Sequence, residues 1–204
     1  FNEFIFKPWT IITYAFSHSL MDFFHILFNM LILYWFGRVF VDYLGSQKMV
    51  NLYIMGAIAG AIVYLLAFNL LPHDRIPVGS YMVGASAAVY AISVAAATLV
   101  PDHTFYMLFF GPVRIKYLVA ISIFLSLLGS IGSNAGGNLA HLGGALIGFI
   151  YIKQLQAGNE MGVWIFKSME FFKSFFVPRS PIKVSHKSKN TIKTPKKAAG
   201  SVDQ

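Results

Sequence analysis

The chain has 204 residues, of which 56% are hydrophobic, 16% aromatic and 12% charged, and its mean hydropathy is +0.63. A soluble domain carries roughly twice that charged fraction, and the apolar residues here come in long runs, so the composition reads as an integral membrane protein with the bilayer as its solvent. The lack of cysteine excludes disulfides, thiol catalysis and Cys-ligated metals, and much of the net charge of +8 lies in the last stretch of the chain, a tail rather than a nucleic-acid-binding face.

Residues 1–22 are aromatic, polar and broken by Pro8. They read as an extracytoplasmic loop at the membrane interface, anchored by Trp9 and Tyr14. Ser19 and Asp22 offer caps for the helix that follows. Residues 23–41 form the first spanning run, ended by Gly37, Arg38 and Asp42. Residues 49–71 form the second, with Gly56-Ala57-Ile58-Ala59-Gly60 as a small-xxx-small pattern that lets helices approach closely. Pro72, Pro77 and Gly79 mark a loop over 72–81. The third run covers 83–100 and is closed by Pro101-Asp102-His103.

Residues 104–112 are apolar but short, and read as a re-entrant or interfacial piece. The fourth run is 117–131. Residues 129–138 are rich in Gly, Ser and Asn and read as a flexible loop. The fifth run, 139–152, needs 136–138 as its first turn, because a span takes about 20 residues. In 161–177, Lys167, Glu170 and Ser174 recur among phenylalanines, the pattern of an amphipathic helix lying in the interface. Residues 178–204 have too little apolar content to fold. Their basic residues make a solvated tail, or one that touches anionic lipid headgroups at about 1 kcal/mol per charge.

The chain thus divides into an interfacial loop (1–22), a membrane core of about five transmembrane helices (23–153), a linker with an amphipathic helix (154–177), and a disordered basic tail (178–204). The fold class is all-α, a polytopic transmembrane helical bundle. The chain starts at Phe1 with no signal-peptide pattern and reads as a fragment whose N-terminus lies upstream. Basic residues set the orientation: Arg38, Lys48, Arg114, Lys116 and Lys153 fall on alternate connections, which are placed inside. The C-terminus is then cytoplasmic, with a bacterial inner membrane as the expected location.

This topology puts His25 and Asn29, Ser86, and His141 at the outward ends of the first, third and fifth spans. Polar groups at that depth are costly unless they pair or meet water, and so point to function. Ser86 alone would read as a helix cap or packing residue. With His141 it makes a nucleophile and a general base. Gly137, His141, Gly144 and Gly148 share one helix face, and a glycine face lets that helix approach the segment around Ser86. Tyr90 is one turn after Ser86 and is placed to stack on the imidazole. No acid lies near His141 in sequence, which favours a dyad over a triad. His25 and Asn29 are spaced i, i+4. They are either structural hydrogen bonders or, with the Ser86 N–H, donors to an oxyanion. Asp22 either caps its helix or orients His25. His18, His73 and His103 are given no chemistry. No His/Asp/Glu grouping has metal-ligand spacing, and the reading needs no cofactor.

At these residues the chain resembles the rhomboid intramembrane serine proteases. The resemblance rests on His25-Ile26-Leu27-Phe28-Asn29, Gly84-Ala85-Ser86-Ala87, Tyr90, and Ala140-His141-Leu142-Gly143-Gly144 followed by Gly148. It covers about residues 7–152. It implies a nucleophile at Ser86, its base at His141, oxyanion support from His25 and Asn29, and hydrolysis of peptide bonds in or beside transmembrane segments of membrane-protein substrates. Two positions depart from the family's pattern: Ala87 stands where a glycine is usual, and Thr10 follows Trp9 where many members have Arg. The family's first transmembrane helix has no counterpart in the chain. The competing readings are a non-catalytic protein of the same fold that binds transmembrane helices, and a transporter, which would more typically offer intramembrane acids.

Overall fold

A computed structural model describes residues 7–19, 22–71, 82–132 and 134–176. The loop expected at 72–81 and the basic tail at 178–204 lie outside the described residues.

A short helix α1 (Thr10–Thr13) runs into a 3-10 turn (Tyr14–Phe16). The long helices α2 (Phe23–Leu44) and α3 (Ser46–Leu70) follow, joined through Gly45 alone. Gly45 has φ 83°, a conformation that L side chains rarely adopt and that permits the sharp reversal. α2 runs past Arg38 and Asp42 because Val39, Phe40 and Val41 keep it apolar, and Val39 and Phe40 are buried. Then come α4 (Ser86–Leu99), a two-stranded hairpin of β1 (Thr104–Met107) and β2 (Gly111–Arg114), α5 (Ile115–Gly129), α6 (Ala135–Gln156) and α7 (Val163–Phe176).

Among the described residues, α2, α3 and α6 are long and apolar enough to cross a membrane, and α4 and α5 are shorter apolar helices. The protein is a multi-pass integral membrane protein. α4 is the hub: it packs against α2, α3, α5 and α6, and its residues 87–89 and 91–97 are all buried. Its 14 residues make a rod of about 21 Å, against a hydrocarbon core of about 30 Å. A helix wrapped by protein need not span the lipid, so its Ser86 end can start below the membrane surface.

Small residues bring the neighbours in. A Cβ at Gly56 of α3 would sit 2.6 Å from the Ala91 Cβ, and one at Gly60 would overlap that of Ala87. On the other side, a Cβ at Gly144 would overlap the Ala87 carbonyl oxygen, and one at Gly148 that of Ala91. The largest fully buried side chains are Phe40, Leu52, Ile92, Ile115 and Ile152. All but Ile92 sit in the halves of their helices remote from Ser86, so the apolar core fills the end of the bundle away from the serine. Phe24, Phe28, Leu66, Ile121, Phe124 and Leu125 are exposed, as expected where lipid is the solvent.

Two stretches differ from the sequence reading. Residues 104–114 form a hairpin, with Thr104 opposite Arg114 and Met107 opposite Gly111. Its base is closed by Asp102, whose carboxylate accepts from Arg114 at 3.2 Å and Lys116 at 2.7 Å. The continuous apolar run conceals the strand alternation, and Pro112 is tolerated because a two-stranded sheet consists only of edges. The loop expected over 129–138 shrinks, because α5 extends to Gly129 and α6 begins at Ala135. α6 thus takes in 136–138 as its first turn, as its length required.

The chain before α2 is tied to the bundle by two phenols. Tyr14 donates to the Ala57 carbonyl at 2.7 Å, and Tyr53 donates to the Ala15 carbonyl at 2.7 Å. At the other end, Lys48 pairs with Glu160 at 2.8 Å, linking α3 to the segment between α6 and α7. Beyond it, α7 buries Ile165 and exposes Phe171, Phe172, Phe175 and Phe176.

Candidate active site

Ser86 is the first residue of α4, and the capping position belongs to Ala85, which has no side-chain acceptor. The Ser86 hydroxyl is therefore not spent on capping its own helix. It faces α6, with Oγ 2.8 Å from His141 Nε2. That is a short, strong hydrogen bond for this pair of atoms. It depends on the tight α4–α6 approach, since Gly144 lies one turn after His141 and meets Ala87, the residue after Ser86. Gly148 repeats the contact one turn further on. Gly137 differs: the nearest atoms to a Cβ there belong to the Asn134 side chain, so this glycine serves the start of its own helix and not the contact with α4.

The Tyr90 ring stacks on His141, with centroids 4.6 Å apart and planes 9° from parallel. The other imidazole nitrogen, Nδ1, lies 3.2 Å from Ser126 Oγ on α5. Ser126 is buried and also donates to the Tyr90 hydroxyl at 2.8 Å. Sequence reasoning passed over Ser126. Its signal was available, since Ser122 and Ser126 are a polar pair at i, i+4 within an otherwise apolar span.

Gly84 shapes the turn before Ser86. Its φ of 120° is open in practice only to glycine, and its N–H donates to the Tyr14 carbonyl at 3.1 Å. A Cβ here would lie 2.9 Å from His25 Cε1 and 3.9 Å from Ser86 Oγ. The missing side chain thus lets the His25 ring approach the serine turn. Asp22 caps α2 by accepting from the His25 backbone N–H at 3.0 Å, which settles its role as a cap.

Asn29 is buried one turn further along α2, and its Nδ2 lies 3.4 Å from His18 Nε2. His18 was given no chemistry from sequence, yet it stands at the site. Its Nε2 is 3.5 Å from the Ala85 N–H, and its ring meets that of His25 edge-on at 5.5 Å. Burial, and then the neighbouring His25, hold its pKa below the ordinary histidine value. A neutral His18 offers one lone pair at Nε2, between the Asn29 amide and the Ala85 N–H. No sequence pattern announces it, because its partners lie on α2 and on the turn before α4.

One end of the bundle therefore carries a serine hydroxyl hydrogen-bonded to an imidazole. Around it are a second imidazole, a carboxamide and the free N–H groups that begin any helix. On the other side of Tyr90, α5 packs on α4 and α6. It leaves a cavity of about 670 Å³ toward α2 and the hairpin, lined among others by Trp35, Phe36, Tyr90, Phe105 and Ser122.

A multi-pass helical membrane protein with a serine–histidine pair at the start of its central helix is the class these observations define. The family model for the rhomboid domain matches residues 6–156, and the chain belongs to the rhomboid family. It is 35% identical over 161 residues to RHOMBOID-like protein 12, mitochondrial, of Arabidopsis thaliana, covering 74% of this chain and 47% of that protein. It is 31% identical over 159 residues to Rhomboid protein 1, mitochondrial, of Saccharomyces cerevisiae, covering 74% and 42%. It is 29% identical over 160 residues to Presenilin-associated rhomboid-like protein, mitochondrial, of Rattus norvegicus, covering 74% and 38%. The matched region spans less than half the length of these curated relatives. No solved structure matches the chain.

Proposed function

We propose that the protein is an intramembrane serine endopeptidase that cleaves peptide bonds in or beside transmembrane segments of other membrane proteins. The observation that carries this is the 2.8 Å contact between Ser86 Oγ and His141 Nε2, made at the half-buried first residue of a helix too short to cross the bilayer. His141 takes the Ser86 proton as Oγ attacks the scissile carbonyl, then returns it to the departing amide nitrogen. The Ser86 N–H, the His25 ring and the Asn29 amide supply donors for the oxyanion, Asn29 leaving its long contact with His18 to do so. Water then hydrolyses the acyl-enzyme, with His141 again the base.

The substrate enters as a helix from the lipid. The cavity between α2 and α5 ends at Tyr90, beside the His141 ring, and its apolar walls suit a transmembrane segment. α5 is the movable wall. The site works the same way in a bacterial inner membrane and in a membrane of the organelle that the relatives' names give.

The test is labelling of the full-length protein in liposomes by a fluorophosphonate. Wild type reacts, and Ser86→Ala and His141→Ala do not. A folded wild-type protein that fails to react refutes the peptidase reading and leaves a rhomboid protein that binds transmembrane helices without cutting them.

A further inference from the structure

A neutral imidazole carries one proton, and Nε2 can accept from Ser86 only when that proton sits on Nδ1. In serine–histidine–aspartate sites the carboxylate enforces this tautomer. Here the partner of Nδ1 is a hydroxyl, Ser126 Oγ at 3.2 Å, which can either donate or accept.

The surrounding bonds decide which. The Ser122 backbone oxygen can only accept, and the Tyr90 hydroxyl lies 3.1 Å from it, so Tyr90 donates there. That uses the one phenolic hydrogen. Ser126 Oγ, 2.8 Å from the Tyr90 oxygen, must then donate to it, which uses the one Ser126 hydrogen. The contact between Ser126 and His141 is left with the imidazole N–H as its only available donor. The run is His141 Nδ1–H to Ser126 to Tyr90 to the Ser122 carbonyl, each hydrogen used once. The reverse polarity makes one bond fewer, because the Tyr90 hydrogen leaves the carbonyl for Ser126, and it points an Nε2–H at Ser86. Ser126 is 2% exposed, so water does not compete for its hydroxyl.

We propose that Ser126 is a positioning residue: through Tyr90 and the Ser122 carbonyl it holds His141 in the Nδ1–H tautomer and leaves Nε2 as the free base. The relay does for the dyad what an acid does for a triad, with no buried charge. No proton moves along it. When His141 takes the Ser86 proton, Nδ1–H still donates to Ser126. The inference rests on the peptidase reading for its purpose but not for its test.

The tautomer is read directly by nitrogen NMR of the ¹⁵N-histidine-labelled full-length protein in bilayers, with the His141 signals assigned by their loss in His141→Gln. The expected wild-type spectrum has the proton on Nδ1. Ser126→Ala gives mixed tautomers, Tyr90→Phe does the same while keeping the stacked ring, and Ser126→Thr restores the wild-type spectrum. Fluorophosphonate labelling follows the spectrum: in Ser126→Ala its maximal rate falls about tenfold, with the half-saturating probe concentration unchanged, and Ser126→Thr recovers it. A wild-type proton on Nε2, or a Ser126→Ala spectrum identical to wild type, overturns the inference. Failure of the peptidase reading shows separately, as a wild-type protein with the Nδ1–H tautomer and no labelling.

Discussion

Gly144→Ala tests whether the chemistry depends on how closely two helices approach. The added Cβ would overlap the Ala87 carbonyl oxygen and lie 2.8 Å from its carbon, whereas ordinary contact for a Cβ begins near 3.4 Å. Backbone cannot swing aside as a side chain can, so α6 must move away from α4 by on the order of 1 Å. Gly144 lies one turn from His141 and Ala87 is next to Ser86, so most of that movement reaches the pair. Their 2.8 Å bond would open to about 3.8 Å, beyond hydrogen-bonding range. A misplacement of about 1 Å costs about 100-fold in rate, and overpacking of this kind costs about 1–3 kcal/mol of stability. The assay is the fluorophosphonate labelling rate in liposomes, set beside the thermal melting of the same samples. Gly132→Ala is the control, since among the described residues a Cβ there meets only the Gly129 carbonyl at 3.5 Å. A folded Gly144→Ala protein that labels at the wild-type rate would refute the claim that the α4–α6 spacing sets the geometry of the pair.

Gly84→Ala should be as damaging by another route: a φ of 120° strains alanine by about 1–3 kcal/mol, and the new methyl meets the His25 ring, so labelling should fall while helix content by circular dichroism is kept. Tyr14→Phe should lower the melting temperature, because the Ala57 carbonyl loses its phenol donor, worth about 1 kcal/mol. His18 binds fewer protons folded than unfolded, because its pKa is held below the ordinary 6.5. Its contribution is therefore full above that value and lost as the pH falls below it. Between about pH 7.5 and about pH 5, wild type should lose more thermal stability than His18→Gln; equal losses would show that His18 does not titrate as assigned. Asp102, with Lys116 and then Arg114 beside it, has its carboxyl held below the ordinary value, so its contribution is present above 3.8 and lost as acid protonates it. Asp102→Asn should loosen the hairpin base, seen as faster hydrogen exchange at the β1 and β2 amides.

The spans and the pair at the centre of the site could be read from the chain because each rests on a local rule. Long apolar runs mark spans whatever their neighbours, and a glycine before Ser86 and glycines after His141 mark where backbone comes close. Asp22 as a cap and Tyr90 one turn from Ser86 follow from helix periodicity in the same way. What no local rule carries is contact between segments far apart in the chain. His18 acquires its place through Asn29 and the turn at Ala85, and Ser126 acquires its own by meeting both Tyr90 on α4 and His141 on α6. The hairpin at 104–114 is hidden for a related reason, since its strands are defined by each other and by Asp102 reaching Arg114 and Lys116, not by the alternation of its apolar residues. By itself the sequence determined that the chain lives in a membrane, where its helices run, and which hydroxyl and imidazole belong together. Only the tertiary structure decided how closely α4 meets α6, which hydroxyl faces Nδ1, and where the cavity beside Tyr90 lies. Those depend on helix-to-helix distances, and these are set by the sum of many side-chain packings rather than by any one stretch of chain.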